Sequence, residues 1–155
     1  MWDPGSILGL DQVVDGLFLA ESRAAEKGFL QTEDFKFAAE TNWEAKDGTG
    51  AEIYLIEFSG SEGARDYADS ATSSDAASTR LSTLPGIPGS TVSTANSADS
   101  YGDIVTQVRF PVGNIAVDLH YYAHATADIS GLTTLALAQY TRLAKSLAIT
   151  PPALS

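Results

Sequence analysis

Apolar residues recur along this chain with two different periods, and the changes of period divide it into elements. From Ile7 to Lys27, the residues Leu10, Val13, Val14, Leu17 and Ala24 fall at the spacing of an amphipathic helix, with Gly28 as its stop. Gly16, inside that stretch, weakens the helix by about 1 kcal/mol relative to Ala. Phe29 and Leu30 are expected to fold back beneath it. Two aromatic and β-branched runs, Phe35 to Lys46 and Ala51 to Phe58, flank Asp47-Gly48-Thr49-Gly50 and predict a hairpin with Trp43 in its core. Within the second run Ile53-Tyr54-Leu55-Ile56 is continuously apolar, as expected of a central strand covered on both faces.

Ser59 and Glu62 carry the Ser-x-x-Glu pattern of a capping box and predict a helix to about Ser78. Its apolar face is thin, chiefly Ala64, Tyr67, Ala68, Ala71 and Ala76, and the Ser/Thr/Asp/Ala bias from Ser70 to Thr79 is also compatible with a linker. Leu84-Pro85-Gly86-Ile87-Pro88-Gly89 must be a loop, because its prolines and glycines block helix and ladder alike. Three β-like runs follow, near Ser90 to Ala95, Asp103 to Phe110 and Asn114 to His124, the last two joined by the tight turn Pro111-Val112-Gly113-Asn114. The third run alternates cleanly: Ile115, Val117, Leu119 and Tyr121 share a core face, and Asp118, His120, Tyr122 and His124 the other. A closing helix from Asp128 to Ala148 carries Leu132, Ala136, Tyr140, Leu143 and Leu147 on one stripe, and Pro151-Pro152 ends it. The order α-β-β-α-β-β-β-α defines an α+β fold, a mostly antiparallel sheet of about five strands packed with about three helices. One domain spanning residues 1–155 is expected, with 1–6 and 150–155 as flexible ends.

Charge narrows the partners. The chain of 155 residues has a net charge of −11, nine Lys and Arg in all, and no cysteine. Nucleic acid and anionic membrane surfaces are therefore disfavoured, since both require clustered bases. Disulfides, thiolate catalysis, Cys-based zinc sites and iron–sulfur clusters are excluded. No apolar run is long enough to span a bilayer as a helix. Met1-Trp2-Asp3-Pro4-Gly5 lacks the basic and apolar regions of a signal peptide, so the chain is expected to be cytoplasmic or to start after a removed leader. The charge is also uneven: residues 1–78 hold 16 acids and five bases, and residues 79–155 four of each.

The candidate chemistry is sparse. His120 and His124 have the His-x-x-x-His spacing that on a helix brings two rings to one metal. In a strand the same spacing separates their Cα atoms by about 13 Å, too far for two zinc–nitrogen bonds, and no metal is expected. Asp118, His120, Tyr122 and His124 nonetheless form the most chemically varied surface, with ring faces and polar tips suited to a partner or small ligand. The competing expectation is that a helix covers this face. Asp99-Ser100-Tyr101-Gly102-Asp103 reads as a turn and not as a calcium loop, since the twelve-residue ligand pattern is missing. No Gly-x-Ser-x-Gly elbow, Walker loop or dinucleotide fingerprint occurs, so no catalytic residue and no cofactor is assigned.

The second half has a family resemblance. The loop Leu84 to Gly89, the strand pair through Arg109-Phe110-Pro111-Val112-Gly113-Asn114, and the helical segment Ala138-Gln139-Tyr140-Thr141-Arg142-Leu143 resemble segments of uncharacterised actinobacterial secreted proteins and lipoproteins. The resemblance covers about Leu84 to Leu147 and more loosely Glu52 to Tyr67. It implies an extracytoplasmic domain related to PsbP-like sandwiches or extracellular sensor domains. The lipid-attachment Cys and the disulfides of such sensors are missing here, and the family supplies no functional residues to carry over. The expectation that follows is a non-enzymatic, extracytoplasmic binding module for a protein or a small apolar ligand. A hydrolase using carboxylates or His120 and a structural assembly subunit are the alternative classes.

Overall fold

The computed structural model describes residues 5–74 and 79–149. The chain runs β1 (Ser6–Leu8), α1 (Leu10–Leu17), α2 (Arg23–Thr32), β2 (Phe35–Glu44), β3 (Gly50–Phe58), α3 (Ser61–Ser74), β4 (Thr79–Ser82), β5 (Thr91–Ala95), β6 (Asp103–Val112), β7 (Ile115–His124) and α4 (Ile129–Ser146). All the strands join one antiparallel sheet in the order β1-β2-β3-β7-β6-β5-β4. The α+β class and its antiparallel sheet are those expected from the hydrophobic pattern. The two predicted hairpins form, β2–β3 and β6–β7, and the second closes through Gly113, whose φ of +60° suits a residue without a Cβ.

The sheet is covered on both faces. One core packs α1, α2 and α3 over Ala38, Tyr54, Ile56, Phe58 and Ala116, with Val13, Val14, Leu30 and Tyr67 supplied by the helices. The other packs α4 and the Leu84–Gly89 loop over Val108, Phe110, Val117 and Leu119, with Leu132, Ala136 and Tyr140 from the helix. Alternation in β7 sends Val117 and Leu119 to the α4 side and Ala116 and Asp118 to the α3 side. Asp128 caps α4 by accepting a hydrogen bond from the Gly131 N–H at 2.9 Å.

Four local readings are corrected. The single helix from Ile7 to Lys27 is a short strand and two helices: α1 stops at Phe18, which is extended, and α2 restarts after Ser22. Leu19 in the break is 72% exposed, so it does not serve the apolar stripe. Gly28 lies within α2 instead of ending a helix. The Ser59–Glu62 capping box does not form, because the Ser59 N–H donates to the Asp34 carbonyl at 3.0 Å and the helix begins at Ser61. Strands β1 and β4 are additional to the predicted set. The expected end of α3 near Ser78 and the expected flexible ends fall wholly or partly outside the described residues; Ser6 is already in β1.

Candidate functional site

The polar face of β7 divides into a sealed inner part and an open outer part. Asp118 is fully buried beneath α3. Its Oδ2 accepts from the Arg109 Nε at 2.8 Å and the Tyr67 hydroxyl at 2.7 Å, and its Oδ1 accepts from the Gln107 amide at 2.6 Å. His120 Nε2 stands 3.0 Å from Oδ1 and 3.0 Å from the Gln107 amide nitrogen. The register dictates this cluster: Arg109 faces Asp118 and Gln107 faces His120 across the β6–β7 ladder. The Arg109 guanidinium also lies 4.8 Å from the centre of the Tyr67 ring, a cation–π contact in a dry setting. Burial alone would raise the Asp118 pKa, but the Arg109 charge, then His120 and the Gln107 bond, outweigh it and hold the carboxyl well below the usual range. Burial pushes the Tyr67 phenol well above its ordinary value, so it stays protonated and keeps the O–H that it donates to Asp118.

Along this face of β7, exposure rises from buried Asp118 through partly buried His120 and Tyr122 to exposed His124. His120 is partly buried, tilted against the Tyr54 ring. Tyr122 is half-buried, and its hydroxyl donates to Glu52 at 3.2 Å; burial first, and then the Glu52 charge, raises its pKa. His124 is exposed, with Nδ1 3.4 Å from Asp103. Beside Tyr122 a cleft of about 470 Å³ is lined by Asn42, Glu44, Glu52 and Asp103. The four residues singled out from the sequence therefore share one face, but only His120, Tyr122 and His124 reach toward solvent. Among the described residues no group of three or more His, Asp or Glu is placed to hold a metal. Asp99 forms the turn expected of its segment, its Oδ1 accepting from the Tyr101 and Asp103 N–H groups.

A second concavity lies on the opposite face. Helix α4 packs on β6, leaving the β2–β3 part of that face only partly covered. Between them runs a groove of about 500 Å³, whose floor is Trp43, Ile53 and Leu55 and whose helical wall is Leu135 and Leu143. Gln139, Arg142 and Ser146, spaced along the same side of α4, form its rim. Trp43 is fixed edge-on against Tyr121, ring centres 6.4 Å apart. The apolar surface continues past the groove: Ile7 faces Ala39 in the ladder, Phe37 precedes Ala39 by two on the same face, and they are 71% and 40% exposed.

No protein family matches the chain, and no curated protein matches it. Its fold is similar to a solved structure, the extracellular domain of PknH from Mycobacterium tuberculosis. The TM-score is 0.58 at 10% sequence identity, over 92% of this chain and 79% of that one. At that identity the likeness is one of fold. Among the described residues no helix is long and apolar enough to cross a membrane.

The groove is what residue-by-residue reading missed. Its signal was present in β2, where Phe37, Ala39 and Trp43, interrupted by Thr41, alternate with Ala38, Glu40, Asn42 and Glu44. That pattern marks one apolar face. It does not reveal that α4 stops short of covering it.

Proposed function

We propose that this protein is a non-enzymatic, extracytoplasmic binding module that holds a small apolar ligand in the groove between α4 and the β2–β3 face. The groove carries the reading: its volume of about 500 Å³ falls within the range of small-molecule sites, and its floor and helical wall are mostly apolar, with Glu40 and Thr41 of β2 also in the lining. Exposed Ile7 and Phe37 extend the same surface, and contiguous apolar patches of this kind mark interaction sites. The extracytoplasmic setting is supported by the fold shared with an extracellular domain. The test is titration with the neutral fluorophore N-phenyl-1-naphthylamine. Saturable enhancement is expected, lost in a Leu55→Asp variant whose circular dichroism matches the parent. Enhancement that does not saturate, or that survives the substitution, overturns the assignment.

The open edge of the other face supports a second reading, a protein partner contacting Tyr122 and His124. The cleft beside Tyr122 favours it. Replacing both residues by Ser should then abolish partner capture from native extract, and unchanged capture removes these residues from the interface.

A further inference from the structure

The rim of the groove is not neutral. Arg142 lines it one helical turn from Gln139 and Ser146, and among the described residues no carboxylate lies within ion-pair distance of its guanidinium. Arg23, Lys27, Lys36 and Arg109 are each paired with an Asp or Glu, whereas Arg142 belongs with Lys46, Arg65 and Lys145, for which no such pair is found among the described residues. Trp43, Ile53, Leu55, Leu135 and Leu143 meanwhile present nothing that hydrogen-bonds, apart from the Trp43 indole N–H. An apolar trough with a guanidinium and an amide at one side, the Ser146 hydroxyl being already donated to the Arg142 carbonyl at 3.0 Å, is complementary to a molecule with an apolar tail and an anionic, bond-accepting head. A cationic head would meet Arg142 with like charge, and a purely apolar molecule would leave the polar rim unused.

Building on the groove assignment above, we infer that the ligand class is a free, monomeric acyl-chain carboxylate, its tail on the Trp43–Leu55 floor and its head at Arg142. The head and the tail make separable demands, so their failures are distinguishable. Dodecanoate, dodecanol and dodecyltrimethylammonium, each below its micellar concentration, are titrated into the full chain by displacement of N-phenyl-1-naphthylamine. Dodecanoate is expected to bind about three- to tenfold more tightly than dodecanol, and dodecyltrimethylammonium more weakly than both. In Arg142→Gln the preference for dodecanoate over dodecanol should vanish while dodecanol affinity is unchanged. Equal binding of dodecanoate and dodecanol by the parent chain, or a preference that persists in Arg142→Gln, overturns the head-group inference and leaves the groove assignment standing. Binding of none of the three removes both. Two further outcomes also overturn it: binding only to vesicles of anionic lipid, which would make the surface a membrane contact, and binding only after residues 1–4 are deleted, which would make the chain's own N-terminus the occupant.

Discussion

Replacing Asp118 by Asn preserves the size of the side chain and removes its charge, which isolates what the carboxylate does for Arg109. The Arg109 side chain is 9% exposed and Asp118 is fully buried, so the guanidinium left behind can recover little hydration. Removing one partner of such a pair costs about 3–5 kcal/mol, because the remaining charge stays desolvated. The Asn amide also turns an acceptor into a donor toward Gln107 or toward Tyr67, so one of those bonds is lost as well. At about 2.1 cal/mol/K per residue, a chain of this length unfolds with an entropy of about 0.33 kcal/mol/K, and a loss of about 4 kcal/mol lowers Tm by about 12 °C. The assay is urea unfolding followed by circular dichroism, on the parent, Asp118→Asn, Arg109→Met and the double variant. A coupling energy of at least about 2 kcal/mol is expected between the two sites. A single variant within about 1 kcal/mol of the parent, or a coupling near zero, would refute the view that this buried pair is interdependent.

Three further outcomes follow from the packing. The folded-state pKa of Asp118 is depressed, so its contribution is fully present above the unfolded value of about 3.9 and is lost as pH falls toward the folded one; the stability gap between parent and Asp118→Asn should narrow as pH falls below about 4. Gly63→Ala should destabilise by about 2–3 kcal/mol in the same urea assay, because a Cβ there would stand 2.6 Å from the Glu33 carbonyl oxygen and 3.0 Å from the Phe58 ring, and the backbone atom cannot swing aside. Thr106→Val should raise stability by about 1 kcal/mol by scanning calorimetry, since the Thr106 hydroxyl is buried with no hydrogen-bond partner among the described residues; a loss of stability would mean that the hydroxyl is satisfied in solution.

What the amino-acid pattern could reveal depended on the range of the interactions. The β6–β7 hairpin and α4 were legible because alternation and helical spacing are local and long there, and the faces of β7 were assigned correctly. Strand β1 was not, since three residues carry no period and Ile7 happens to sit in helical phase with Leu10 and Val14. The cover over Asp118 was also hidden: its donor Tyr67 comes from α3, far away in sequence, on a helix whose apolar face reads as weak. His120 and His124 were placed correctly on one face, yet their neighbours Gln107 and Asp103 come from the β6 register, which no single run of residues displays. The groove required knowing how far α4 extends across the sheet, a matter of tertiary placement and not of pattern.

The sheet order has a kinetic consequence. Strands β2–β3 and β4–β7 each pair with close neighbours in sequence, β1 reaches β2 across α1 and α2, and the two halves of the sheet meet along the β3–β7 ladder, where Ile53 faces Leu119. Each hairpin can close quickly by itself, whereas that central ladder must first overcome the loop entropy of the intervening chain. Zipping this seam is expected to be the slow step of folding, and until it closes the flanks of β3 and β7 are unpaired edges open to other chains. The residues at greatest risk of misassembly are thus the ones that end up most deeply enclosed.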